Sequence, residues 1–181
     1  MKKLENKIAG DKVRLRPMTE DDLPLRVQWF NDPAVRRTLL VDELFNLEGT
    51  QKWFAGIQDD PSRLDWIIGT PETLPVGLIS LLHIDNKDKT AEIIIVIGNK
   101  EYWGCGVMYE AERLLIQWAF EMLSLEKIWA IALPNNLASL ITMKKIGFQI
   151  EGTLRSEAVK DGKRTDILRL GLLKSDFKTR P

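Results

Sequence analysis

Between residues 92 and 120 the hydrophobic period of the chain changes. A continuous β-branched run, EIIIVIG, gives way to the polar turn NKEYWGCG and then to VMYEAERLLIQWAFEML. In the last segment Val107, Ala111, Leu114, Leu115, Trp118, Ala119 and Met122 recur at the spacing of one helical face. The pattern predicts a buried strand, a glycine loop and a helix. Upstream, residues 12–17 (KVRLRP) alternate Val13 and Leu15 with Arg14 and Arg16, as in a short strand with one wet face. Carboxylates at 20–22, after Thr19, load a helix start and Pro24 fits its first turn; Asn31-Asp32-Pro33 ends that helix, because the residue before proline avoids the helical region.

Residues 34–60 read as helical again but less regularly. Leu39, Leu40, Leu44, Phe45, Leu47, Trp53, Phe54 and Ile57 are more numerous than one buried face requires, so the segment is a candidate groove wall or subunit contact. Strands follow at 65–69 and 76–84, and the polar cluster DNKDK at 85–89 turns into a strand at 90–97. Beyond the long helix come a strand at 127–133 and a helix at 137–146, capped by Asn135 or Asn136 and stopped by Gly147. Strands at 148–154 and 165–173 complete the chain, with a turn at Asp161-Gly162. This order is α+β, one mixed sheet flanked by helices.

With 181 residues, 44% hydrophobic and 29% charged, a single domain over 1–181 is expected. The 26 basic and 26 acidic residues cancel, which removes any overall drive toward nucleic acid or an anionic membrane. The first ten residues are too polar for a signal peptide and no apolar run approaches the roughly 20 residues that span a bilayer, so a cytoplasmic location is expected. One cysteine, Cys105, and one histidine, His83, offer neither an internal disulfide nor a metal cluster.

The glycine loop carries the chemistry. The first amides of a helix lack internal partners and sit at the positive end of its dipole, and Gly104 and Gly106 would let a phosphate approach them. A P-loop is excluded because Cys105-Gly106-Val107 stands where Gly-Lys-Ser/Thr is needed. A dinucleotide fingerprint fails because its third glycine would be Tyr109 and NKEYW separates the loop from the strand.

The run Trp103-Gly104-Cys105-Gly106-Val107-Met108 resembles the acetyl-coenzyme A motif of the GNAT acetyltransferase superfamily, Q/R-x-x-G-x-G/A. Trp103 replaces the polar first residue, and Met108 replaces the last glycine or alanine. Downstream, PNNLASLITMKKIGFQIEGTLR is similar to the family's second motif, its K-x-G-F step and the EG-x-LR that follows, so the resemblance extends from about residue 12 to 177. YWGxG followed by Glu110-Ala111 is similar to the branch that contains the ribosomal-protein N-terminal acetyltransferases. The resemblance implies a three-layer fold whose mostly antiparallel twisted sheet has about seven strands, with a splayed pair at the cofactor site.

The same resemblance implies roles. A main-chain amide near Val96 or Ile97 would bind the acetyl oxygen, and the loop from Trp103 through Gly104, Cys105, Gly106 and Val107 to Met108 would hold the pyrophosphate. Glu92 matches the family's fourth-strand glutamate and is the leading general base; a carboxylate within an apolar strand is unusual. His83 is the second candidate, since an imidazole titrates near neutrality. Met143 occupies the slot of the tyrosine that protonates the leaving thiolate in many relatives, so Ser139 is left to hydrogen-bond the sulfur. Asn136 would anchor the cofactor while capping its helix, and Trp29, Phe30 and Trp53 are candidate acceptor contacts or core residues. The implied reaction is direct acetyl transfer from acetyl-coenzyme A to a primary amine, with no metal. The implied acceptor is a protein N-terminal amine; the alternative is an amino group on a nucleotide-linked sugar or another small amine, because WFNDPAV at 29–35 is similar to a segment of some sugar-amine acetyltransferases. A non-catalytic coenzyme A-binding module and a nicotinamide-binding protein are the other classes. Monomer and homodimer are both compatible with the sequence.

Overall fold

A computed structural model of the protein describes residues 8–178. In chain order the elements are β1 (Ile8–Ala9), β2 (Arg14–Pro17), α1 (Leu23–Asn31), α2 (Pro33–Arg36), α3 (Leu47–Ile57), β3 (Leu64–Gly69), β4 (Pro75–Asp85), β5 (Thr90–Ile97), α4 (Val107–Met122), β6 (Lys127–Ala132), α5 (Leu137–Ile146), β7 (Gln149–Lys160) and β8 (Lys163–Leu173). The strands form one sheet in the order β1-β2-β3-β4-β5-β6-β8-β7. Among the described residues only β5 and β6 pair in parallel; the other neighbouring pairs are antiparallel.

Among the described residues the sheet has eight strands, where the sequence leads to about seven. The additional one, β1, spans two residues and is defined by its pairing, Ile8 opposite Leu15, rather than by any hydrophobic period. Residues 38–46 are not helical: α2 ends at Arg36, and α3 starts afresh at Leu47, where the Asn46 side chain accepts from the Gly49 amide at 2.7 Å. β7 continues to Lys160, past the predicted end at 154. It is an edge strand with no buried position and a register shift between Leu154 and Ala158, so it lacks the alternation that marks a strand in sequence.

Each face of the sheet carries its own core. On one side α4 and α5 pack over Ile93, Ile97, Ile128 and Leu170, with Trp66 and Trp118 edge to face at 5.3 Å. On the other, α1 and α3 pack Leu23, Trp29, Phe30 and Phe54 against Ile67, Leu78 and Val96. The buried surface of α4 is rotated from the predicted face. Met122 is exposed and Leu114 half-buried, whereas Glu112, Ile116 and Phe120 are buried along a second flank. At the end of that flank Phe177 of the C-terminal segment packs on Phe120 at 5.7 Å, a tertiary contact that local periodicity cannot announce.

Glu112 is fully buried and, among the described residues, neither carboxylate oxygen has a hydrogen-bond partner. Burial alone pushes its pKa up to about 8. Among the described residues no helix is long and apolar enough to cross a membrane, and no group of three His, Cys, Asp or Glu side chains is placed to hold a metal.

Candidate active site

The groove opens because two central strands part. β5 and β6 are in register only at Thr90–Lys127, Ala91–Ile128 and Glu92–Trp129. Beyond that point β5 stays with β4 as far as Ile97, and β6 stays with β8 as far as Ala132. The cleft between them measures about 630 Å³ and runs from Ile95, Val96 and Ile97 past the glycine loop to Thr142 and Lys145 of α5. Strand alternation decides which amides face it. The Gly98 amide donates to Val76 of β4, and the Val96 carbonyl lies against Gly77, so even-numbered residues turn their backbone groups to β4. Of the two amides named from sequence, Ile97's faces the splay and Val96's belongs to the β4 ladder.

At the other end of the groove, Gly104 (φ +74°) and Gly106 (φ +82°) adopt the left-handed conformation that favours glycine, and Gly106 is the residue before α4. The first helical bond is Glu110 N–H to Gly106 C=O at 3.1 Å, so the amides of Val107, Met108 and Tyr109 have no helical acceptor. The Val107 side chain is buried, Met108 lines the groove and Cys105 is exposed. The Trp103 indole N–H donates to the Ile97 carbonyl at 2.8 Å, fastening the loop to the end of β5. Sequence reasoning missed Lys12, whose ammonium donates to the Cys105 carbonyl at 3.1 Å and sits beside Gly106. A basic residue 93 positions upstream carries no local signal of that placement.

α5 forms the opposite wall, joined by Thr38 at the start of the irregular segment 38–46. Asn136 accepts from the Ser139 amide at 3.3 Å, capping α5, and donates across to the Thr38 carbonyl at 3.4 Å. Ser139 lines the groove, while Met143 is buried in the core. Segment 38–46 is held in place at further points. Asn31 exchanges two hydrogen bonds with the Phe45 backbone at 2.7 and 2.9 Å; Lys160, at the tip of the β7–β8 hairpin, reaches the Val41 carbonyl at 3.0 Å and Asp42 at 2.8 Å.

The two base candidates are brought together. Glu92, 4% exposed, hydrogen-bonds His83 Nδ1 through Oε2 at 2.9 Å. His83 sits at φ +49° in the register shift of β4, and its ring stacks on Trp129 with planes 2° apart. Arg169 covers the same indole at 3.4 Å. Burial raises the Glu92 pKa, and the bond to His83 and the charge of Arg169 only partly oppose it. Glu92 shares a face of β5 with Ile94 and Val96, but it lies four residues from Val96, roughly 13 Å along the strand, so proton transfer to it needs intervening water.

A second cavity, about 180 Å³, opens on the α1/α3 face beside Ile94 and Leu82, the strand partner of Glu92. Phe30 and Trp53 line it; Trp29 does not. Trp29 instead packs onto Gly98, where a Cβ would fall 2.0–2.5 Å from the indole ring. Gly98→Ala is therefore expected to cost about 1–3 kcal/mol by overpacking, read as a lower denaturant midpoint; an unchanged midpoint would mean that Trp29 moves freely.

Residues 12–149 match the family described as "Acetyltransferase (GNAT) domain". The spermidine N(1)-acetyltransferase of Escherichia coli K12 is 28% identical over 171 residues, 93% of this chain and 90% of that protein. A Bacillus subtilis protein provisionally assigned as a ribosomal N-acetyltransferase is 36% identical, but over 101 residues, 56% of this chain and 55% of its own length. A crystal structure of spermidine N-acetyltransferase from Vibrio cholerae, in complex with CoA and spermine, has a TM-score of 0.86 at 20% identity, covering 92% of this chain and 98% of that one. At that identity the likeness establishes the fold.

Proposed function

We propose, from the premise that the chain belongs to the GNAT acetyltransferase family, that it transfers an acetyl group from acetyl-coenzyme A to the primary amine of a small molecule. The observation that carries this reading is the splay of β5 from β6, which turns the Ile97 amide into a groove that ends on the glycine loop and the start of α4. The groove suits a long phosphorylated thioester. The open amides at the start of α4 and the ammonium of Lys12 suit a pyrophosphate, and Lys145 supplies a further positive charge along the wall.

Transfer is direct. The amine, arriving as an ammonium ion, loses a proton through water to the Glu92–His83 pair. Its nitrogen then bonds to the acetyl carbon while the carbon–sulfur bond breaks, and the Ile97 amide donates to the carbonyl oxygen as negative charge builds there. Ser139 hydrogen-bonds the departing sulfur, and the second proton that the nitrogen loses on becoming an amide passes through water to that thiolate. Holding both reactants in one groove accounts for much of the acceleration. Cys105 has no place in this scheme: it is exposed on the loop, with its Sγ 3.6 Å from the Glu101 and Trp103 carbonyls.

A small-molecule acceptor is supported by the near full-length likeness to spermidine acetyltransferases. The protein N-terminal acceptor drawn from the glycine-turn resemblance has the support of a relative matched over only 56% of the chain. Thiol release should therefore depend on added small amines and proceed poorly with peptides that begin with a free N-terminus. Faster release with the peptides would reverse the order of the two readings, and no release with any amine would overturn the transferase reading.

A further inference from the structure

Arg26 sits in the smaller cavity as a buried cation that pairs directly with no carboxylate among the described residues; the charge of Asp65 reaches it only at a distance. It is 9% exposed, yet its guanidinium makes no hydrogen bond or ion pair with another described residue. Aromatic rings pack around it instead: Trp53 at 4.0 Å, Phe30 at 4.4 Å and Phe45 at 5.0 Å from the guanidinium carbon. Burial pushes its pKa down only to about 10, so the group stays charged at neutral pH. Cation–π contacts occupy the faces of a guanidinium and leave its N–H edge in need of acceptors.

The carboxylate that lines this cavity is already engaged. Asp65 accepts two bonds from Arg63, at 2.7 and 2.9 Å, and a third from the Ser80 hydroxyl at 2.6 Å. Arg26, Arg63 and Asp65 together leave the cavity lining one positive charge in excess. Its volume of about 180 Å³ equals roughly six waters at 30 Å³ each, enough for a carboxylate and several carbons.

The cavity is also in the right place. Ile94 lines it, and Val96, two residues on and on the same strand face, lines the cofactor groove, a step of roughly 7 Å along β5. We propose that Arg26 is an acceptor-binding residue and that the acceptor is a primary amine carrying a carboxylate a few carbons away. The amine lies toward the Ile97 amide, and the carboxylate pairs with the N–H edge of Arg26 in a two-pronged bond. This deepens the small-amine reading and rests on it. It also separates this chain from the polyamine acceptors named for its relatives, because a second ammonium group would meet Arg26 and Arg63.

The test compares acceptors of matched length in acetyl transfer: 5-aminopentanoate, pentylamine and 1,5-diaminopentane, with 4-aminobutanoate and 6-aminohexanoate to set the spacing. At least one amino carboxylate is expected to show a KM ten or more times lower than pentylamine, with the diamine poorest. Arg26→Met should erase that preference while leaving the KM of pentylamine and of acetyl-coenzyme A unchanged. Calorimetric titration of 5-aminopentanoate into the parent protein supplies a readout that needs neither turnover nor a folded variant. Binding of the amino carboxylate without transfer to any amine would keep the subsite and overturn the transferase reading. Transfer to pentylamine or the diamine at least as efficient as to every amino carboxylate would overturn the subsite and keep the transferase.

Discussion

Glu112→Leu is expected to stabilise the protein, and by a margin that widens as pH rises. In the unfolded chain this carboxyl ionises near its ordinary value of 4.5, whereas in the folded protein burial holds the proton on until about pH 8. Between those values the folded state binds one proton more than the unfolded state, so stability falls as pH rises through the interval and levels off above it. At 1.36 kcal/mol per pKa unit the loss is of order 5 kcal/mol, large beside the 5–15 kcal/mol of a typical domain. Leucine has no charge to form, and it also removes two carboxylate oxygens that lack partners. The raised pKa of Glu92 acts in the same direction, so the variant's stability–pH curve should flatten rather than become level. Denaturant unfolding of parent and variant between pH 4.5 and 9 would show it; parallel curves would mean that Glu112 finds a partner or ionises without penalty.

Glu92→Gln should lower acetyl transfer by about 10² to 10⁴ at neutral pH, the usual worth of a positioned base. Glutamine fills the same volume and can still meet His83, so the binding of acetyl-coenzyme A should not change. The pH profile gives the sharper reading. A buried base must be ionised to accept a proton, so the parent's rate should fall as pH drops through a pKa that burial has raised above the ordinary carboxylate value. That acid limb should disappear in the variant. An unchanged rate with an unchanged limb would exclude Glu92 as the base and leave water alone to deprotonate the amine. His83→Asn should have a smaller effect, because the imidazole orients and shares the charge of Glu92 from a position largely open to solvent.

The elements that carry the site were legible because they obey local rules. The β-branched run before the glycine turn, the two glycines and the α5 cap Asn136 each announce a backbone conformation in their own neighbourhood. What escaped were charged residues placed by the tertiary fold. Arg26 occupies a buried stripe of α1 with Leu23 and Phe30, spaced i, i+3 and i+7, and Glu112 occupies another with Ile116 and Phe120, spaced i, i+4 and i+8. A charged residue inside an apolar stripe was the available signal in both cases. Lys12 offered none, because it reaches the glycine loop only through the pairing that sets β2 beside β3 and brings its neighbour Gly10 against α4. The choice between the Val96 and Ile97 amides likewise depended on strand register, which fixes the direction of every backbone group along β5.

Segment 38–46 has no regular backbone ladder, yet it is anchored to α1 through Asn31, to α5 through Asn136 and to the sheet's far edge through Lys160. Ordering a residue costs about 1–2 kcal/mol of conformational entropy, and here that cost is met once, when the chain folds. An acceptor therefore meets a rim that is already set, and its affinity need not cover the freezing of a loop. Loss of sequence-remote Lys160 is thereby expected to weaken substrate binding through the entropy of the free enzyme rather than through any contact of its own.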